Sequence, residues 1–305
     1  MASPDRIVAV IGPTAAGKSD LSIALAKGLG NAEIVNVDSM QVYRGMDIGT
    51  AKLPPSERGG VPHHLLDILD VTETATAAEF QAWARAAIAD CHSRGVVPIL
   101  VGGSALYIRA VLDKFEFPGT DSALRAKWDA RLETIGAKAL HAELASKDQA
   151  AAEHILPTNG RRIVRALEVI ELTGKPYAAT LPTLEYAFGD VTVVGLDVPR
   201  DVLDERIRIR VDRMWAAGLV DEVRTLAKRG LAEGRTARRA LGYAKVLDFL
   251  DGKCSEDEAR IATVNGTRKF ARRQDSWFRK DPRIHWLPYD AEDLVARALQ
   301  VLAGT

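Results

Sequence analysis

Residues 12–19 fill every position of the phosphate-binding pattern G-x-x-x-x-G-K-[ST]; they are Gly12, Pro13, Thr14, Ala15, Ala16, Gly17, Lys18 and Ser19. An apolar run at 7–11 precedes them and an amphipathic stretch at 21–29 follows, which is the strand–loop–helix context that the pattern requires. Glycines let the backbone curl so that its N–H groups face an anion, and the helix N-terminus adds partial positive charge. Lys18 supplies a mobile cation. The segment therefore predicts a site for a diphosphate or polyphosphate, without indicating which one.

The composition of the 305-residue chain is that of an ordinary globular protein, with 47% hydrophobic and 27% charged residues. Lysine and arginine number 41 together, as do aspartate and glutamate, so the net charge does not indicate a nucleic-acid partner and only local clustering can. Cys91 and Cys254 are the only cysteines, which favours a reducing compartment over a disulfide framework or a zinc site. The sequence shows no signal peptide and no apolar stretch of about 18 residues, so we expect a cytoplasmic protein without a membrane contact.

Strand and helix patterns alternate along much of the chain. A capping box at Thr76 and Glu79 opens a predicted helix that runs to about Gly95, and a second helix is predicted at about 105–112. Strands separated by helices imply a parallel sheet with right-handed crossovers. Apolar runs predict the strands at 7–11, 33–37, 96–101, 191–196 and 284–287.

We therefore predict an α/β fold: a parallel sheet of the P-loop NTPase type flanked by helices, with an all-helical insertion domain. The character of the sequence changes after Phe117, where alanine, leucine and charged residues repeat with helical periodicity. The predicted core comprises 1–116 and 188–305, including C-terminal helices, and the predicted insertion comprises 117–187.

Three polar segments follow predicted strands: the loop at 12–19, Asp38–Gln41 and Gly102–Ser104. Ligands of parallel sheets bind beyond the carboxyl ends of the strands, so we expect these segments to share one crevice. A carboxylate at Asp38 has two interpretations of about equal weight, a proton acceptor or holder of a metal's water, and a helix cap. We predict that His63 and His64 are loop residues that order this crevice and bind no metal.

Basic residues cluster in the later part of the chain. Residues 265–285 carry seven lysines and arginines against two aspartates, interleaved with aromatics such as Phe270 and Trp277. Such a segment suits RNA, whose phosphates meet cations and whose splayed bases stack on rings. The alternative for each cluster is a solvated helix face with its aromatics in the core. Other clusters contain Arg161, Arg162 and Arg165; Arg206, Arg208, Arg210 and Arg213; and Arg235, Arg238 and Arg239.

Several segments, in this order along almost the whole chain, resemble the tRNA dimethylallyltransferases. The family transfers an isopentenyl group to N6 of the adenosine just 3′ of the anticodon. The block Asp38–Lys52 carries the resemblance more specifically than the phosphate loop, which many NTPases share. Further matching segments are Gly12–Ser19, Val61–Asp67, Gly102–Tyr107, Arg161–Glu168 and Lys269–Gln274.

The resemblance implies roles for particular residues. Dimethylallyl diphosphate would be the donor, its diphosphate held by the phosphate loop, with Mg²⁺ on Ser19. Asp38 would be the base, and Lys18, Arg210 and Ser104 would complete the catalytic set; many members have threonine where this chain has Ser104. The partner would be the tRNA anticodon stem-loop, and the protein is expected to be a monomer. The implied tRNA-binding residues are Asp38, Ser39, Met40, Gln41, Ser104, Arg161, Arg162, Ile163, Val164, Arg165, Lys269, Arg272 and Arg273.

Two other functions share part of this sequence pattern. A small-molecule P-loop kinase would share the phosphate loop and an acid after the second strand, but would not need the block Asp38–Lys52 or a basic C-terminal segment. A non-catalytic RNA-binding ATPase would bind tRNA without transferring a prenyl group. We expect the insertion and the C-terminal basic segment to hold the anticodon stem-loop from two sides.

Overall fold

The computed structural model describes residues 5–177 and 184–304. Its central feature is a six-stranded sheet in the order β3-β2-β4-β1-β5-β6, in which all paired strands run parallel. The α/β fold predicted from the sequence is confirmed. The strands are β1 (Arg6–Ile11), β2 (Ala32–Asn36), β3 (His63–His64), β4 (Val97–Gly102), β5 (Asp190–Asp197) and β6 (Ile284–Pro288).

Helices connect and cover these strands, and single turns of 3₁₀ helix occur at Pro55–Glu57 and Ala237–Arg239. Among the residues that the structure describes, none of these helices has the length and apolar character needed to cross a bilayer. The α-helices are α1 (Lys18–Leu29), α2 (Ala77–Ser93), α3 (Ala105–Leu112), α4 (Ser122–Lys147), α5 (Gln149–His154), α6 (Gly160–Thr173), α7 (Arg200–Ala216), α8 (Leu219–Ala227), α9 (Leu241–Leu250), α10 (Glu256–Phe278) and α11 (Leu294–Gly304).

The chain divides into two compact units, one formed by 1–112 with 186–305 and the other by 113–185. In the first unit the sheet is covered on both faces. Ile7 and Ile11 of β1 pack in one hydrophobic core, whereas Val8 and Val10 pack in another with Leu25 of α1. Burial on both faces explains why the strand reads as a continuous apolar run instead of an alternating pattern.

Pro98 lies in an interior strand, where proline is rare because it cannot donate a ladder hydrogen bond. The pairing of β4 with β2 includes Pro98 opposite Glu33, but the pairing of β4 with β1 begins only at Ile99. Pro98 therefore sits just before the ladder on the β1 side, where no backbone donor is required.

Local signals predicted most elements but missed some short or terminal ones. The capping box at Thr76 and Glu79 is present and starts α2, as expected. The two-residue edge strand β3 and the C-terminal helix α11 were not predicted. Ala298 and Leu302 of α11 are buried beside α1, so the helix is held by contacts with residues far away in the sequence.

The second unit takes in most of the predicted insertion, and the regular elements of its described residues are the helices α4, α5 and α6. Its core packs Trp128, Leu140 and Leu144 of α4 against α6 residues that include Leu167. Asp121 caps α4 through the N–H groups of its first turn, and a left-handed Gly136 kinks the helix. Residues 178–183 of the predicted insertion 117–187 lie outside the described residues.

Candidate active site

Three segments that follow strands border one cavity of about 1180 Å³ in the first unit. The phosphate loop after β1 contributes Thr14 to Ser19, the end of β2 contributes Asp38, and the end of β4 contributes Gly102 and Gly103. All three segments lie at the carboxyl ends of parallel strands, where α/β sheets bind their ligands. Ser104 does not line this cavity but is half-buried beside it, and its carbonyl accepts the Ile108 N–H in the first turn of α3.

The phosphate loop holds a conformation that few residues adopt. Gly17 has φ 102°, just before α1, and Ala15 has φ 66°, in the left-handed region that a side chain disfavours. The N–H of Thr14 donates to Oε1 of Gln274 at 2.9 Å. Gln274 comes from α10, 260 residues further along the chain, and also borders the cavity. Strained backbone fixed by a distant side chain is typical of a functional loop.

Lys18 and Arg210 are two of the five lysines and arginines that line this cavity. The Lys18 ammonium donates to the carbonyl of Pro13 at 2.8 Å, and Arg210 of α7 donates to the hydroxyl of Thr14 at 3.3 Å. Burial and the neighbouring Arg210 lower the pKa of Lys18 to about 7, although Asp38 opposes the shift. Burial also lowers the pKa of Arg210. An anion among these groups would favour their charged forms, so the cavity is suited to a diphosphate.

Asp38 directs its carboxylate into a local turn at the cavity wall. Its Oδ1 accepts the N–H of Met40 at 2.8 Å, and its own N–H donates to Oδ1 of Asn36 at 3.1 Å. No helix starts at this position in the described chain, so the helix-cap interpretation is wrong and the group instead forms an Asx turn. The turn fixes one carboxylate oxygen and gives Asp38 a defined orientation at the cavity.

Glycine is required where β4 ends beside β2. A Cβ on Gly102 would lie 2.5 Å from the carbonyl oxygen of Val37, and one on Gly103 would lie 2.5 Å from Nε2 of Gln274. The absence of side chains lets the phosphate loop, the end of β2 and α10 approach one another. Of the other residues expected at this site, Gln41 lines the cavity, whereas Ser39 and Met40 are half-buried and lie outside its lining.

His63 and His64 correct the sequence-based prediction. They form β3 instead of a loop, and neither lines the cavity. Nε2 of His64 lies 2.7 Å from Glu33 Oε2, and the buried thiol of Cys91 lies 3.7 Å from the same oxygen. These three residues offer one ligand atom each to a metal. However, the Arg94 guanidinium already supplies the positive charge, donating to both oxygens of Glu33 at 2.7 and 2.6 Å.

The Glu33 ion pair predicts a contribution to acid stability. Hydrogen bonds from Arg94 hold the pKa of Glu33 at about 2, below its ordinary value of 4.5, against the opposing effect of burial. The contribution of ionised Glu33 to the free energy of unfolding is therefore complete above pH 4.5 and is lost as the pH falls toward 2. We expect Glu33→Gln to lower the free energy of unfolding by about 1 kcal/mol at pH 7, the scale of a partly exposed pair.

Urea unfolding of wild type and Glu33→Gln at pH 7 and pH 3 measures this effect. The difference between the two proteins should shrink by more than half at pH 3. The exposed Glu133→Gln is the matched control, and its difference from wild type should not change with pH. An equal deficit for Glu33→Gln at both pH values would contradict the prediction.

The predicted RNA-contacting arginines of the second unit do not all face solvent. Arg161 and Arg162, at the start of α6, are exposed. Arg165 instead donates to the carbonyl of Pro118 at 2.6 Å and pairs at 2.9 Å with Glu168, which is fully buried. Arg125 pairs with the same carboxylate at 2.5 Å. Two guanidinium groups thus neutralise a buried charge, which gives Arg165 a structural task within the unit.

Ile163 and Val164 correct the prediction further. Both side chains are 0% exposed and belong to the core of the second unit. Side-chain contact between these two residues and a tRNA is therefore ruled out in this structure. They directly follow two exposed arginines because α6 is amphipathic, so a continuous sequence match joins surface and core positions.

Helix α10 presents the predicted basic residues on its exposed side. Lys269, Arg272 and Arg273 are exposed, and the Arg273 guanidinium lies 6.0 Å from the ring centre of Phe270. Arg272 also pairs with Asp204 at 3.2 Å. Gln274, the next residue, belongs to the matching segment Lys269–Gln274 but carries no sequence signal for a role of its own. Its hydrogen bond to the phosphate loop is visible only in the fold.

A parallel sheet whose glycine-rich loop runs from β1 into α1 beside a cation-lined cavity defines an α/β protein of the P-loop class. Among solved structures, a full-length tRNA isopentenylpyrophosphate transferase from Bacillus halodurans is similar, with a TM-score of 0.72 and 40% identity over 98% of this chain and 96% of that one. A eukaryotic dimethylallyltransferase acting on tRNA has a TM-score of 0.84 at 28% identity, covering 97% of this chain and 77% of that one.

Sequence comparison gives the particular family. A family model described as IPP transferase matches residues 41–281. A tRNA dimethylallyltransferase of Thermobifida fusca is 62% identical over 300 residues, which cover 97% of this chain and 94% of that protein. The chain belongs to the IPP transferase family and is an enzyme of the prenyltransferase class. The family predicted from the sequence is confirmed, and a small-molecule kinase is not favoured.

Proposed function

We propose that this enzyme transfers the dimethylallyl group of dimethylallyl diphosphate to N6 of the adenosine 3′-adjacent to the anticodon of tRNA. The observation that carries the proposal is one cavity bordered by both a phosphate loop and the carboxylate of Asp38. A diphosphate donor needs the first group and a weakly nucleophilic amine needs the second. Membership of the IPP transferase family supports the same reaction.

The donor's diphosphate would lie against the loop N–H groups, Lys18 and Arg210. The allylic C–O bond breaks, and its electron pair leaves with the diphosphate, whose growing charge these cations stabilise. Allylic carbon tolerates developing positive charge, so the protein's main tasks at this centre are positioning and electrostatic stabilisation.

Mg²⁺ fits the residues present at the loop. The side chain of Ser19, at the start of α1, borders the cavity and offers a hard oxygen ligand. Mg²⁺ commonly keeps several waters and takes only one or two protein ligands beside substrate phosphates, so a single hydroxyl at this position suffices. The chemistry that bound Mg²⁺ supplies is charge neutralisation on the leaving diphosphate.

Asp38 would act on the acceptor. The lone pair of the adenine N6 is delocalised into the ring, so N6 attacks well only when its proton is drawn away. As the N6–C bond forms, the N6 proton passes to the Asp38 carboxylate, whose orientation is fixed by the N–H of Met40. The half-buried Ser104, close to the end of β4, is a candidate hydrogen-bond partner of the same base.

The acceptor nucleotide must leave the stacked anticodon loop, because a stacked base does not reach a cavity of this kind. The exposed cations of α6 and α10 would contact the phosphates around it. We take the active protein to be a monomer. We also place it in the cytoplasm, a reducing compartment that suits its two unpaired cysteines.

A single incubation tests the proposed function. Purified protein, Mg²⁺, labelled dimethylallyl diphosphate and unmodified tRNA should give labelled tRNA, with the label on the adenosine next to the anticodon after nuclease digestion. A parallel incubation with ATP and small acceptors should show no phosphoryl transfer. Absence of labelled tRNA, or ATP consumption that depends on a small acceptor, would overturn the proposal.

The cations of both units predict a salt-dependent affinity for tRNA. Each phosphate contact releases counterions, so removing one contact should weaken binding to all substrates and reduce the slope of log affinity against log salt by about one. We expect this result for Arg161→Ala and Lys269→Ala, whose side chains are exposed. Filter binding at several salt concentrations measures it, with the exposed Lys138→Ala as a control. Wild-type slopes in both variants would show that these cations are only solvated.

A further inference from the structure

Glu222 on α8 binds the backbone of a cavity-lining segment. Its carboxylate accepts three consecutive N–H groups, from Asp47 at 3.1 Å, Ile48 at 2.8 Å and Gly49 at 3.2 Å. Successive backbone N–H groups that converge in this way form an anion site, and here the protein's own carboxylate fills it. Charge-assisted hydrogen bonds of this kind are the strong ones, so they fix the path of the backbone at this point.

Tyr243 on α9 completes this arrangement. Its hydroxyl donates to Oε1 of Glu222 at 2.5 Å, and its ring is fully buried. Burial and the charge of Glu222 raise the pKa of Tyr243, so the hydroxyl keeps its proton and remains a donor. A Cβ on Gly49 would overlap the Tyr243 ring, so only glycine allows this packing. Glu222 therefore holds Gly49 through its backbone N–H, and the Tyr243 ring packs against its Cα.

The fixed backbone continues into a candidate substrate contact. The carbonyl of Thr50, one residue beyond Gly49, accepts the side-chain N–H of Gln41 at 3.1 Å. Gln41 and Thr50 both line the cavity that Asp38 borders. Lys52 secures the other end of the segment, since its buried ammonium pairs with Asp47 at 2.7 Å and Asp67 at 2.6 Å. The position of the Gln41 amide thus depends on the segment that Glu222 holds.

We propose that Glu222 and Tyr243 are positioning residues for the tRNA acceptor: they hold the segment Asp47–Thr50 so that Gln41 faces the incoming nucleotide. This inference rests on the proposed function. The donor's phosphates would meet the loop at 12–19, whereas the hydrogen bonds of Glu222 go to the backbone of 47–49 and to Tyr243. The two residues should therefore act on acceptor binding and leave donor binding unchanged.

Steady-state kinetics of Glu222→Gln and Tyr243→Phe test the inference. The KM for tRNA should rise about five- to twentyfold in Glu222→Gln and less in Tyr243→Phe, which keeps the ring. The KM for the donor and kcat should stay within about twofold of wild type. If Glu222 acts through Gln41, the double variant Glu222→Gln/Gln41→Ala should have a tRNA KM no higher than that of the worse single variant.

Two controls keep the outcome clear. Asp221→Asn removes a neighbouring carboxylate from the same helix turn and should leave all constants unchanged. Hydrogen exchange at the amides of 47–49 should accelerate in Glu222→Gln, whatever reaction the enzyme catalyses. An inactive wild type would contradict the proposed function alone, whereas active variants with an unchanged tRNA KM, a raised donor KM, or additive effects with Gln41→Ala would overturn this inference.

Discussion

Replacing Asp38 by asparagine is expected to lower the rate of prenyl transfer by roughly 10²-fold or more, the range for loss of a general base. Asparagine keeps the shape of the side chain, and its amide oxygen still accepts the Met40 N–H that holds the turn. The amide is not basic enough to take the N6 proton. Single-turnover assays with saturating donor and tRNA would measure the loss directly.

The expected loss should appear in the chemical step and not in binding. Filter binding should give the Asp38→Asn variant a tRNA affinity close to that of wild type. Asp129→Asn, which changes an exposed carboxylate on α4, is the matched control and should retain full activity. Near-normal turnover in Asp38→Asn would mean that another group accepts the proton.

Lys18→Ala is expected to lower kcat/KM for the donor by about 10²–10³-fold, because it removes a cation that stabilises the diphosphate in a desolvated site. The alanine variant also loses the hydrogen bond to the Pro13 carbonyl. Its thermal stability should therefore be measured alongside its kinetics. Varying the donor at saturating tRNA measures the effect.

Lys18→Ala should affect the donor but not the binding of the tRNA acceptor. The tRNA affinity measured without donor should stay near the wild-type value, since the Lys18 ammonium lies within the phosphate loop, bonded to the Pro13 carbonyl. Lys27→Ala, an exposed change in the last turn of the same helix, should leave the donor kinetics unchanged. A donor kcat/KM that is unaffected in Lys18→Ala would argue that the diphosphate binds elsewhere.

Features encoded by neighbouring residues were predictable from the sequence. The phosphate loop needs eight consecutive residues, and the capping box of α2 needs Thr76 and Glu79 only three positions apart. Strand β1 is buried on both faces, so its apolar run marked an interior strand. Parallel strands end at the same edge of a sheet, which is why the common cavity of the phosphate loop and Asp38 was also accessible to prediction.

Features that depend on contacts between distant residues were not predictable. The hydrogen bond from Thr14 to Gln274 spans 260 positions, and the one from Ile48 to Glu222 spans 174. No local pattern distinguishes these polar side chains from solvated ones. Similarly, a contiguous match at 161–165 gave Ile163 and Val164 the same role as their arginine neighbours, although the helical repeat places them in the core.

The 23-residue helix α10 has a consequence for the changes that the chain tolerates. A substitution on its exposed side leaves the helix backbone and Gln274 in place, even where it removes a contact such as the pair of Arg272 with Asp204. A one-residue insertion or deletion anywhere between its buried Thr263 and Gln274 is different, since it turns the following part of the helix by about 100°. The Gln274 amide would then point away from Thr14, so this helix tolerates substitutions on its exposed side but not insertions or deletions.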